Sequence, residues 1–182
     1  MNHLVQKLFE EIRVGSANEQ NDAIGKLVEM LRKNYLRGMD NYAYILLIPS
    51  DPLFNLKLAD QDKIEIIDEI GRLICSEWSS SPTRASLLWA LGSAYEWQSF
   101  ELLMKFLRDS KRDISSEEFY QALISFDNLL VLGRENQTKL HSLLETYDAR
   151  QVINRYTAYN KTKLHEVAVS ILRQIAQLEC AP

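Results

Sequence analysis

The amino-acid sequence predicts an all-α protein of about ten helices built as stacked helical hairpins, and three observations carry that expectation. Apolar residues recur at spacings of three and four almost throughout the 182 residues, the period of helices with one buried face. A composition of 46% hydrophobic and 25% charged residues, with six Gly and four Pro, is that of an ordinary globular chain and excludes collagen and disorder. Only the apolar run 42–48 reads equally well as a buried strand or a short buried helix, and the want of a strand partner favours helix. The length fits a single domain, 1–182, with sub-lobes 1–78 and 79–182 as a subdivision.

Taken in order, Leu4, Val5, Leu8, Phe9 and Ile12 form one stripe, and Ile24, Leu27, Val28, Leu31 and Tyr35 a second. The segment 15–18, beginning Gly15-Ser16, separates them, and Gly38 can end the second helix in the left-handed conformation. Pro49 and Pro52 mark a break. Asp60 or Asp62 then caps a helix with Ile64, Ile67, Ile70, Gly71 and Ile74 on one side. Ser81 as N-cap with Pro82 in the first helical position starts the next, which runs to about Tyr95. Phe100, Leu103, Met104, Phe106 and Leu107 stripe another, ended by the charged turn 109–113. Ser115 and Glu118 have capping-box spacing ahead of Phe119, Leu123, Phe126 and Leu130, and Gly133 closes that helix. Further helices follow over about 135–147, 149–156 and 161–178.

Helices with short connections form either an irregular bundle or a stack of hairpins. The second half favours the stack. Pro82, Arg84 and Ala90-Leu91-Gly92 resemble the first helix of a HEAT repeat, and Ala85, Ala122 and Ala168, 37 and 46 residues apart, sit at equivalent positions. Those intervals bracket the roughly 40–47 residues of HEAT and armadillo units. The resemblance covers about residues 81–178 and implies an α-solenoid with a continuous core.

A net charge of −4, from 25 acidic and 21 basic residues, argues against a protein that coats nucleic acid or an anionic membrane and suits a basic partner. No signal peptide or membrane-spanning stretch is visible at the N-terminus or along the chain, and Cys75 and Cys180 form no C-x-x-C pair, so a cytoplasmic protein with reduced thiols is expected. His3, His141 and His165 are isolated, no catalytic motif or glycine-rich phosphate loop occurs, and neither a cofactor nor a metal nor an enzymatic activity is expected.

Candidate binding residues lie in two groups. Asp62, Glu65, Asp68 and Glu69 form an acidic ridge, with Asp62, Glu65, Glu69 and Arg72 on one face opposite the isoleucines and Asp68 paired with Arg72. The middle of the chain, 61–120, holds eleven acids against seven bases while the flanks nearly balance, which singles out this region for docking a basic partner. Glu96, Trp97 and Glu101 place an aromatic beside acids, the composition of an interface anchor. Trp89, inside an apolar run, reads as core and Arg84 as structural. In size, charge and architecture the chain looks like the all-helical immunity proteins of bacterial toxin systems such as contact-dependent growth inhibition. That likeness implies a non-enzymatic protein that binds a cognate toxin, a basic nuclease domain encoded by an adjacent gene, and blocks its active site; the alternative is a helical-repeat adaptor or scaffold joining two proteins.

Overall fold

Most of the described helix starts are fixed by a side chain that accepts an otherwise unpaired backbone N–H, and these caps set the boundaries. The computed structural model describes residues 2–36, 52–76, 80–109, 114–159 and 162–180. Among them are nine α-helices and no strand: α1 (His3–Val14), α2 (Ala17–Leu36), α3 (Asp60–Cys75), α4 (Ser81–Gly92), α5 (Trp97–Asp109), α6 (Ser116–Leu129), α7 (Gln137–Thr146), α8 (Ala149–Asn154) and α9 (Lys163–Cys180). The expected elements at Gly38 and 42–48, the turn residues 110–113 and the boundary at Trp78 lie outside the described residues. No helix among the described residues is long and apolar enough to cross a membrane.

Asn2 Oδ1 accepts from Leu4 N (2.9 Å) at the start of α1. Glu19 folds back on Ser16, taking both its N–H and its hydroxyl (2.7 Å each), ahead of α2. At α3 the N-cap is Ala59, whose N–H is taken by Asp62 (3.4 Å). The start of α4 differs by one residue from expectation: Ser80, not Ser81, is the N-cap, accepting from Thr83 N. Ser81 is drawn away, because its hydroxyl donates to Glu118 Oε2 of α6 (2.6 Å) and lies 2.8 Å from Oγ of the α6 N-cap Ser115. Helix α4 also stops at Gly92, short of Tyr95. The Ser115–Glu118 capping box forms as the spacing predicts.

The helices pack in an ordered succession. α2 packs on α4, α4 on α6 and α6 on α9, while α3 neighbours α5 and α5 neighbours α8. Arg84 meets Glu118 near the starts of α4 and α6, and Gly92 meets Ser125 nearer their ends, so the two run in the same direction. Lys63 with Glu96, Asp68 with Gln98 and Gly71 with Leu102 give α3 and α5 the same relation. Ala85, Ala122 and Ala168 are buried on α4, α6 and α9, three successive members of one row. A single hydrophobic cluster extends from Val5 in α1 to Ile175 in α9.

The close approach of α4 to α6 depends on Gly92. A Cβ there would stand 2.6 Å from Ser125 Cα, inside van der Waals contact with backbone, so only hydrogen fits. The same row is tied by polar contacts at its helix starts: Thr83 Oγ1 donates to Gln20 Oε1 of α2 (3.0 Å), and Arg84 Nε donates to Glu118 Oε1 of α6 (2.5 Å). Glu118 is wholly buried. Burial works against its charge, but bonds from Arg84, Ser81 and Ser115 prevail and hold the carboxyl below the usual carboxylate range.

Three orientation expectations are corrected. Ile64 is 43% exposed and Ile66 takes the buried position beside Ile67 and Ile70. Glu69 is buried, not part of an exposed ridge, because α1 brings Arg13 onto its Oε1 while Arg72 holds its Oε2 (2.5 Å). Arg72 therefore pairs with Glu69, and Asp68 instead accepts from Gln98. Trp89, expected in the core, is 41% exposed. Cys75 is exposed and forms no disulfide among the described residues; the side chain of Cys180 lies outside the described residues.

Candidate functional site

Two of the sequence-predicted binding residues, Glu96 and Trp97, meet at the N-terminal end of α5. A four-residue connection, 93–96, joins α4 to α5, and Tyr95 in it has φ 51°, the left-handed region that a non-glycine side chain adopts at a cost of about 1–3 kcal/mol. This conformation places its ring against Tyr35 near the end of α2, with centroids 3.9 Å apart and an interplanar angle of 13°. The next residue, Glu96, receives Lys63 Nζ of α3 (2.9 Å), and Lys63 also reaches Asp60 (3.4 Å). Burial opposes the charge on Lys63, but the hydrogen bonds and charges of Glu96 and Asp60 outweigh it and hold the ammonium above its ordinary pKa.

Tyr35, Tyr95, Lys63, Glu96 and Trp97 line a cavity of about 240 Å³ together with Asn34, Leu132 and Glu135. Its size is below the roughly 300–1,000 Å³ of small-molecule pockets and suits a side chain better than a cofactor. Asn34 forms a rigid wall, since its amide donates to Met30 O and Leu56 O and accepts from Leu58 N (2.9, 3.1 and 2.9 Å). Burial, then the charge of Glu135, raises the Tyr35 phenol above its ordinary pKa, so it stays a neutral hydrogen-bonding group at pH 7. Trp97 is half-buried, and Lys139 of α7 lies over its ring, 5.0 Å from the centroid.

Of the predicted binding residues, Glu96 and Trp97 line this cavity, and Asp68 of α3 accepts from Gln98, the residue after Trp97. Asp62 and Glu65 are half-exposed on the same helix as Lys63. Glu101 is directed elsewhere: it accepts from Tyr147 Oη (3.2 Å), tying α5 to the turn between α7 and α8. Glu69 is removed from the surface, as described. The sequence reading missed Tyr35, Lys63 and Glu135. Tyr35 fell within a core stripe, and the other two are single charges that only the tertiary fold brings to Glu96 and Tyr95.

Among the described residues no group of three or more His, Cys, Asp and Glu side chains is gathered where a metal ion is held. His141 Nε2 faces Leu178 O (3.0 Å) and His165 Nδ1 faces Thr157 O (2.7 Å), so both rings are engaged with backbone carbonyls. No protein-family model, curated protein or solved structure matches this chain.

Proposed function

We propose that this chain is a non-enzymatic protein-binding module, an immunity protein of HEAT-like α-solenoid type that occupies a cognate toxin domain in the cytoplasm and blocks its active site. The observation that carries the reading is the convergence of Glu96, Trp97, Tyr35 and Tyr95 on one side-chain-sized cavity, with Asp62, Glu65 and Asp68 solvent-accessible along α3, the helix that contributes Lys63 to it. Rigid aromatics beside carboxylates are the composition of an interface anchor, with the aromatics slowing dissociation and the acids speeding capture of a basic partner. A nuclease domain fits because its substrate groove is basic and carboxylates on this chain take the place of phosphates.

The test is co-expression of the adjacent gene product with and without this protein. Suppressed toxicity together with a co-purifying one-to-one complex supports the reading; a neighbour that is harmless alone, or equally toxic beside well-folded protein, refutes it. A second reading, an adaptor joining two proteins, is favoured by one observation: Trp89 is exposed on the α2/α4/α6 row, a different part of the fold from the α3/α5 strip. An adaptor needs two such surfaces.

A further inference from the structure

We propose that the groove around Trp89 is a second recognition site, one that takes an arginine side chain presented by a protein partner. The groove, about 500 Å³, lies across α2, α4 and α6 and is walled by Asn21, Pro82, Ala85, Ser86, Trp89, Glu117 and Gln121. Its distinguishing feature is charge. Among the described residues Glu117 is the only ionisable side chain in that wall, and no Lys, Arg or His lines it. The two tryptophans therefore differ. Trp97 already carries Lys139 over its ring, and Glu96 beside it is neutralised by Lys63. Trp89, 41% exposed, has no cation over it among the described residues, and the exposed carboxylate of Glu117 is engaged only by Gln121, whose Nε2 donates to its Oε1 (2.8 Å).

An exposed indole sharing a groove with a carboxylate of which only one oxygen is engaged among the described residues is complementary to a planar cation. A guanidinium stacks on the ring and donates to Glu117 Oε2, while Asn21 and Gln121 offer amide oxygens to its remaining N–H groups. Arginine is favoured over lysine because an ammonium is more strongly hydrated and cannot stack flat. The α4 part of the wall is fixed: Ala85 is packed, and Ser86 is tied to Pro82 O (3.1 Å). The site therefore exists before its occupant arrives, which limits the ordering cost of binding.

The experiment uses the intact protein labelled with ¹⁵N and follows the Trp89 indole N–H signal, assigned by its loss in Trp89→Phe. Tetra-arginine peptide is titrated in, with tetra-lysine and the uncharged isostere tetra-citrulline as comparisons. A saturable shift with tetra-arginine, a weaker response to tetra-lysine, none to citrulline, and an affinity lowered about five-fold or more by Glu117→Gln support the site. Glu145→Gln, which removes an exposed carboxylate on α7, must leave the affinity unchanged. No saturable shift, an equal response to citrulline, or equal weakening by Glu145→Gln overturns the proposal. The result is independent of the toxin-binding reading, because no cognate partner is present in the titration.

Discussion

Arg84→Ala removes one partner from the most deeply buried ion pair described in the molecule, and the structure sets the size of the effect. Glu118 is 0% exposed, while the side chain of Arg84 retains 18% exposure. Breaking a buried pair costs about 3–5 kcal/mol, because the surviving charge stays desolvated. Here the carboxylate keeps three donors, Ser81 Oγ (2.6 Å), Ser115 Oγ (2.8 Å) and Ser115 N (2.9 Å), which places the expected loss near the lower end, about 3 kcal/mol. For a chain of this size that is a fall in Tm of about 6–12 °C. Urea unfolding followed by circular dichroism at 222 nm measures it, with an unchanged m-value showing that only stability moved. Arg84→Met combined with Glu118→Met should cost less than the sum of the single changes by about 1–3 kcal/mol, since the double variant leaves no stranded charge. The pH dependence has a definite sign. The folded-state pKa of Glu118 is depressed, so its contribution is complete above the unfolded value of about 4.3 and is lost as pH falls through the lower folded value. The gap between wild type and Arg84→Ala should close with acid. A cost below about 1 kcal/mol at pH 7, as for an exposed pair, or zero coupling in the double variant, would refute the reasoning.

Two glycines should respond with opposite signs in the same assay. Gly92→Ala drives a methyl into the Ser125 backbone and should destabilise by about 2–3 kcal/mol, whereas Gly25→Ala, in the middle of α2 with nothing within 4 Å, should stabilise by about 0.5–1 kcal/mol. On α3, Glu69→Lys should lower stability by about 3 kcal/mol, because it sets a third cation beside Arg13 and Arg72 in a buried site, while Glu65→Lys on the half-exposed side should change it by less than about 0.5 kcal/mol; thermal melts of the two variants separate them. With a basic partner in hand, reversal of Asp62 and Asp68 to Lys should slow association and flatten its salt dependence more than it changes dissociation, measured by stopped-flow at low and moderate ionic strength.

The helix content and most boundaries were legible because caps and apolar stripes are local. The Ser115–Glu118 box, the Gly15-Ser16 break and the stripe from Phe100 to Leu107 all stand where the spacing puts them. What a stripe does not specify is the rotation of a helix against its neighbours. On α3 the acids and isoleucines alternate closely, and the arrival of Arg13 from α1 decides that Glu69 turns inward and Ile64 outward. Helix α4 is apolar nearly all round from Leu87 to Leu91, so one of its large residues has to face out, and only packing on α2 and α6 selects Trp89. For the cavity, Glu96 and Trp97 were visible as an aromatic next to an acid. Its other half was hidden, since the left-handed Tyr95 carries no glycine or asparagine signature and Lys63 and Glu135 are distant in sequence.

Hydrogen–deuterium exchange on the complex with the adjacent gene product tests the central claim, that the chain binds its partner through the α3/α5 strip. Amides gaining protection should map to residues 60–68 and 93–101. Protection confined to α7–α9, with α3 and the start of α5 exchanging as in the free protein, would contradict it.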